Sequence, residues 1–387
     1  MTREQNTLRV AVDARSLAGN RSGVSSTVEN LIRHLVRVEP GLELVLALRA
    51  AGDMPDLGTA SASARLYPHS AFDLRSVYRF ARRVRLDDCQ VFHAPNNLLP
   101  RGITIPSVLT VHDVMPLEST ANITRSPGER LVKHWFYHKY VPDSVRRAGH
   151  VIADSNATYL SLCRFAPEAK GKTTVIHNGT DPGFKPLDPG EALRLTRSVE
   201  PDGRRLVVVI GNGSPHKNHH RAVEAYMRAF GGRDDMRLVL VRRFLRRDRP
   251  MEALLRRPDV RKRVIHTPFL PQETLHALVC RARVFFFPSW VEGFGLPILE
   301  AMACRTPVVT SNVSAPAEVA GDAAVLADPF DVESLASALR RADEDEGLRA
   351  DLIARGEERV RAFTWDRAAR QTLEIYRAVA EGRKPGA

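Results

Sequence analysis

The sequence predicts an α/β protein built from two doubly wound parallel sheets in series. Three observations predict it. Short apolar runs alternate with amphipathic stretches along the chain. A turn-rich segment, Asn178–Pro189 (NGTDPGFKPLDP), splits that alternation into two series. The chain has 387 residues, too many for one ordinary domain and about right for two.

The first series opens with an apolar strand at Leu8–Val12. A Gly/Ser-rich loop follows at Ala18–Ser26, then a helix near Thr27–Val36. Further strands are expected at Leu44–Leu48, Val91–His93, Ser107–Val111 and His150–Ala153. The second series reads as strands Leu206–Ile210, Arg237–Val241, Arg263–His266, Val284–Phe287, Thr306–Thr310 and Ala324–Leu326. Helical patterns separate them at Asn218–Phe230 and Pro297–Ala303, and amphipathic helices follow at Glu333–Ala342 and Asp366–Ala380. Ligands of such sheets bind beyond the carboxyl ends of the strands.

Composition narrows the class. Hydrophobic residues are 43% and charged residues 26%, a globular mix that excludes a disordered tail or a fibre. The net charge of +12 invites an anionic partner: nucleic acid, a membrane surface or a phosphate-bearing ligand. The excess divides evenly between the two halves, so it is not a basic tail. It is densest from Arg237 to Arg263. Aromatics are 6% and no nucleic-acid-binding motif occurs, which argues against nucleic acid. The four cysteines form no C-x-x-C pair, so a zinc or dithiol reading finds no support and no metal is expected. No signal-peptide pattern and no apolar run long enough for a membrane span occur, and a cytoplasmic location is expected.

Four segments carry candidate chemistry. In Phe287–Asn312 (FPSWVEGFGLPILEAMACRTPVVTSN) a buried strand runs into a tight glycine loop, and Pro297 suits the first helical position. The N–H groups of Phe294, Gly295 and Leu296 would then sit at a helix N-terminus, a place for an anion or hydroxyls. Glu292 lies at its rim. Glu300 falls one turn into the helix among apolar neighbours, where a carboxylate is costly unless hydroxyls bond to it. In Val207–Ala222 (VVVIGNGSPHKNHHRA) a strand runs into Gly211, Asn212 and Gly213, then Lys217 before a helix; Lys217 there suits a phosphate. In Arg15–Ser26, Gly19 and Gly23 permit close backbone approach, but the loop is not G-x-G-x-x-G. In Thr110–Pro116, His112 and Asp113 end a buried strand. A solvated lysine, a plain turn and a hydrogen-bonded core histidine are the structural alternatives for Lys217, Gly23 and His112.

These segments, in this order, resemble the retaining nucleotide-sugar glycosyltransferases of family four (glycosyl transferases group 1), mannosyltransferase-like members included. Glu292 and Glu300 match that family's E-x7-E signature. The frame FPSWVEGFGLPILEAMACRTPVV is similar throughout, as are PAEVAGDAAVLADPFDVESLASAL, HNGTDPGF, GNGSPHKN, FHAPNNLLP and VHDVMP. The resemblance implies a GT-B fold, two Rossmann-like parallel-sheet domains facing across a cleft. Residues 1–185 would bind the acceptor and 186–365 the nucleotide-sugar, with 366–387 a helix crossing back to the first domain. It implies catalytic roles for Glu292, His112 and Lys217. Glu300 would bind ribose, Glu292 the donor sugar, and Lys217 the diphosphate. Phe294, Gly295, Leu296, Gly211, Asn212 and Gly23 would complete the donor site. His112 would lie against the sugar ring. No metal or other cofactor is implied, because basic side chains and helix dipoles would take the leaving-group charge.

The family often has arginine after the phosphate-loop glycine, where this chain has Asn212. Arg242 or Arg243, at the end of the Leu238–Val241 strand, is expected to reach the diphosphate instead. The implied reaction is transfer of a hexose, mannose from GDP-mannose first, to a glycan or lipid-linked hydroxyl with retention. The basic, amphipathic stretch Phe72–Leu86 could rest on an anionic membrane. A non-catalytic nucleotide-sugar or glycan-binding relative is the alternative.

Overall fold

The computed structural model describes residues 7–19, 23–122, 124, 126–243 and 248–385, the side chains of Asn122 and Arg243 excepted. Each apolar run pairs in parallel with its neighbours. The first sheet holds β1 (Arg9–Asp13), β2 (Glu43–Leu48), β3 (Ala62–Leu66), β4 (Val91–Ala94), β5 (Ser107–Val111), β6 (His150–Ala153) and β7 (Thr173–Val175). Its order is β3-β2-β1-β4-β5-β6-β7. The second holds β8 (Arg205–Asn212), β9 (Met236–Arg243), β10 (Val264–Thr267), β11 (Ala282–Phe287), β12 (Val308–Ser311) and β13 (Val325–Ala327). Its order is β10-β9-β8-β11-β12-β13. Both are doubly wound sheets of the Rossmann kind, whose strand order reverses once. In the second the reversal lies between β8 and β11, which pair through Val207↔Val284 and Val208↔Phe285.

The central strands are near-continuous apolar runs because helices cover both faces. Val207, Leu238, Val284 and Phe286 are fully buried. The edge strands differ. β3 is half-exposed along ASARL and β7 is the short TTV, and neither was expected from the sequence.

The chain divides into two compact units. One comprises Met1–Glu118, Leu131–Gly179 and Phe363–Ala387; the other comprises Ser119–Arg130 and Thr180–Ala362. The break thus falls within the turn-rich segment at Gly179, ahead of the expected limit at 185, and Ser119–Arg130 groups with the second unit. The last helix, Trp365–Ala380, packs in the first unit against the helix Gly23–Val38. His34 Nδ1 lies 2.7 Å from Asp366, and Arg37 pairs with the same carboxylate. Tyr376, buried, places its hydroxyl 2.6 Å from His93 Nδ1. Gly179 runs so close beneath Trp365 that a Cβ would stand 2.1 Å from its backbone nitrogen. Among the described residues no helix is long and apolar enough to cross a membrane.

Candidate active site

The second sheet's reversal sets the carboxyl ends of β8 and β11 side by side, so the loops after them emerge together. β8 ends at Gly211 and Asn212, and Asn212 Oδ1 accepts from the Ser214 N–H at 3.0 Å. A tight turn at Pro215–Lys217 follows, and Asn218 takes a left-handed backbone (φ +59°) before the helix His219–Phe230. Asparagine tolerates that conformation better than most residues. Its side chain also clamps the loop, donating to the Pro288 carbonyl at 3.0 Å and the Pro329 carbonyl at 2.7 Å. Gly211 has no room for a Cβ, which would meet His219 Nε2 at 2.9 Å and Lys217 Cδ at 3.3 Å.

β11 ends at Phe287 and delivers the second loop. Lys217 Nζ donates to Glu292 Oε1 at 2.7 Å and lies 5.1 Å from the Phe287 ring centre. His216, buried beneath, stands 4.0 Å from the same oxygen. Burial works against ionisation of Glu292, but the Lys217 and His216 charges outweigh it and hold the carboxyl below its usual range. Gly295 (φ +113°) turns the chain into the helix Leu296–Ala303, with Pro297 in its first turn. The N–H groups of Gly295 and Leu296 head that helix, and Phe294 is buried behind them. The Glu300 carboxyl group, one turn on, has no hydrogen-bond or ion-pair partner among the described residues. Burial, with Asp181 nearby, pushes its carboxyl up to about 8. Hydroxyl donors would offset exactly that cost by bonding to the charged form.

Arg242 sits under the loop that follows β8. Its guanidinium donates to Asp248 at 2.5 Å and to His219 Nδ1 at 3.0 Å, and reaches the Gly213 carbonyl at 3.5 Å. Arg242 and Asp248 are both buried, so the pair holds the loop's underside. The side chain of Arg243 lies outside the described residues. A cavity of about 370 Å³ adjoins the loop, lined by Gly213, Ser214, His219, Arg242, Asp248 and Trp290 among others; Glu292 and Glu300 do not line it.

The remaining two candidates belong to the first unit. Gly23 opens its helix with nothing within 4 Å of a Cβ position, so no crowding in the described structure demands glycine there. His112 follows β5 and is buried, with both ring nitrogens engaged. Nδ1 lies 2.8 Å from Asp154 and Nε2 2.9 Å from the Pro95 carbonyl. Burial disfavours its charge, but Asp154 and the Pro95 carbonyl outweigh burial and raise its pKa. Its neighbour His93, between Tyr376 and Thr110, is instead pushed down to about 3 by burial and by His112.

Sequence reading missed the partners. Asp154 and Asp248 carry no motif, and Asp181 stands inside the quoted HNGTDPGF, though nothing local ties it to Glu300. Asn218 stands inside the quoted GNGSPHKN, and its place just before a helix was the available signal.

Two family models match the chain: "Glycosyltransferase Family 4" over residues 21–184 and "Glycosyl transferases group 1" over 195–359. The MMP alpha-(1->4)-mannosyltransferase of Mycolicibacterium hassiacum is 35% identical over 324 residues, 79% of this chain and 74% of that protein. This chain belongs to glycosyltransferase family 4. The O-antigen chain mannosyltransferase B of Escherichia coli is 29% identical over 291 residues, 74% of each chain. Among solved structures, Anabaena HepE in complex with UDP-glucose aligns with a TM-score of 0.74 at 17% identity, covering 96% of this chain and 99% of that one. The family 4 member described here is mannosyltransferase-like and carries the two Rossmann-like domains of the GT-B fold.

Two outcomes follow from the buried pairs. Replacing Arg242 with Met removes the buried ion pair to Asp248 and should cost about 3–5 kcal/mol in urea titrations. The His112 charge contributes stability that is full below the ordinary histidine pKa of about 6.5 and is lost as pH rises through the raised native value. The gap in Tm between wild type and Asp154→Asn should therefore narrow from pH 6 to pH 9; a constant gap would contradict the assignment.

Proposed function

We propose that this glycosyltransferase is a retaining hexosyltransferase moving mannose from a nucleoside-diphosphate sugar, GDP-mannose first, to a glycan or lipid-linked hydroxyl. The observation that carries the reading is the Lys217–Glu292 pair at the sheet reversal, with partnerless Glu300 one turn into the adjoining helix. Lys217 and the helix N-terminus would take the diphosphate charge, so the leaving group needs no metal. Glu292 would orient donor-sugar hydroxyls and Glu300 the ribose. The mannosyltransferases among the relatives favour mannose, and HepE's UDP-glucose complex favours a nucleoside-diphosphate donor. Attack would come from the face the diphosphate leaves, with a diphosphate oxygen taking the acceptor proton. Arg243 would add a second positive charge to the diphosphate, while Arg242 supports the loop from below.

The donor test is a panel of nucleotide sugars, followed by NMR of the product's anomeric configuration. GDP-mannose should give the highest kcat/KM and a product that keeps the donor's configuration; an inverted product or no turnover sinks the proposal. Glu300→Ala should raise donor KM about 10- to 100-fold with kcat largely kept, as expected when a charged hydrogen-bond acceptor is lost. Lys217→Ala should lower kcat by roughly 10²-fold or more, and Arg243→Ala should weaken donor binding.

The acceptor side of the proposal rests on the first unit's surface. The expected amphipathic stretch forms the helix Leu74–Arg83, and Phe72, Leu74 and Tyr78 are exposed. Leu131, Val132 and Trp135 are exposed on the helix Pro127–Arg147, and the Phe72 and Tyr137 rings lie 6.3 Å apart. Arg75, Arg79 and Lys139 are exposed on the same two helices. Apolar side chains beside cations suit an anionic membrane carrying a lipid-linked acceptor, with the enzyme peripheral on its cytoplasmic face. Co-sedimentation with phosphatidylglycerol vesicles should fall several-fold in Trp135→Glu and with added salt; equal binding by the variant would refute membrane docking here.

A further inference from the structure

We propose that His276, Cys280 and Cys304 form a structural site for one soft divalent ion of the zinc class. One ligand atom from each lies within 4.8 Å of the other two. His276 and Cys280 are four residues apart on the helix Gln272–Arg281, so both project from one face. Cys304 follows the helix Leu296–Ala303 and is buried, its backbone N–H bonded to the Glu300 and Ala301 carbonyls at 3.1 Å. The two segments are already tied together. Thr306 Oγ1, buried, donates to the Val279 carbonyl at 2.7 Å and pins the turn after Cys304 to the first helix.

The donor set selects the ion. Two sulfurs and an imidazole suit zinc, about 2.3 Å and 2.0–2.1 Å from its ligands, and do not suit magnesium or calcium, which want oxygen. Two thiolates and a neutral imidazole balance a divalent charge, so binding releases the thiol protons to solvent and nothing is oxidised or reduced. A second layer exists too. The Lys185 carbonyl lies 2.7 Å from His276 Nε2, the kind of outer acceptor that orients a metal-bound imidazole through its second nitrogen. Solvent would complete the tetrahedron. The ion would tie the linker at Lys185, the helix Gln272–Arg281 and the end of the Glu300 helix into one piece. It takes no part in glycosyl transfer, and no local motif marks it because the two cysteines stand in separate elements.

The test uses the untagged full-length protein, reduced and stripped with a chelator, titrated with Co²⁺ and then Zn²⁺. One equivalent of cobalt should produce thiolate-to-metal absorption in the near ultraviolet, and zinc should displace it. Cys280→Ser and Cys304→Ser should each diminish that absorption, and His276→Ala should weaken zinc binding by more than the roughly 10- to 100-fold that an outer partner costs. Zinc should raise the Tm of wild type and not of Cys280→Ser. Absence of the thiolate absorption in reduced wild type would overturn the proposal, as would unchanged absorption in Cys280→Ser. A Cys280–Cys304 disulfide in the purified protein, with no zinc uptake after reduction, would overturn it in favour of a redox pair.

Discussion

The parallel pairing of β8 with β11 is the constraint on which the candidate site depends. It places the ends of two strands distant in sequence next to each other, and each end supplies a loop that has little meaning alone. Lys217 without Glu292 is a surface lysine near a turn. Glu292 without Lys217 is a half-buried carboxylate with an unpaid desolvation cost. The sheet brings them to 2.7 Å, and each satisfies the other. Glycine is required at Gly211 for the same reason, since any side chain there would displace the lysine stem and His219.

Charge in this protein is mostly spent internally near the functional loops. Arg242 neutralises Asp248, Lys217 neutralises Glu292, and the His112 charge faces Asp154. Glu300 stands apart as a carboxyl held near neutrality by its surroundings. A site arranged this way holds one carboxyl without a partner and one cation already paired to a carboxylate.

Much of the architecture was legible because buried parallel strands must be apolar throughout. Val207–Val209 and Val284–Phe287 announce themselves. Ala62–Leu66 and Thr173–Val175 do not, because an edge strand buries one side poorly and needs no apolar run. At the site, the glycine loops and the Glu292–Glu300 spacing were readable since they are local. The pairing of Lys217 with Glu292 across 75 residues, the clamp made by Asn218 and the role of Asp248 under Arg242 are products of topology. Arg305 shows the intermediate case. Its backbone is left-handed (φ +61°), a conformation that favours glycine, and its side chain pairs with Glu357 at 3.1 Å.

Under the proposed donor roles, the Lys217–Glu292 pair would also act as a filter. A protein of net charge +12 gathers small anions indiscriminately around itself. An inorganic phosphate reaching this loop would have to pull Lys217 from Glu292 and leave that carboxylate only the more distant His216, 4.0 Å away. A sugar diphosphate would offer oxygens to the lysine and hydroxyls to the glutamate in the same event. The pair would therefore favour ligands that join the two chemistries in one molecule and disfavour those that carry only the charge.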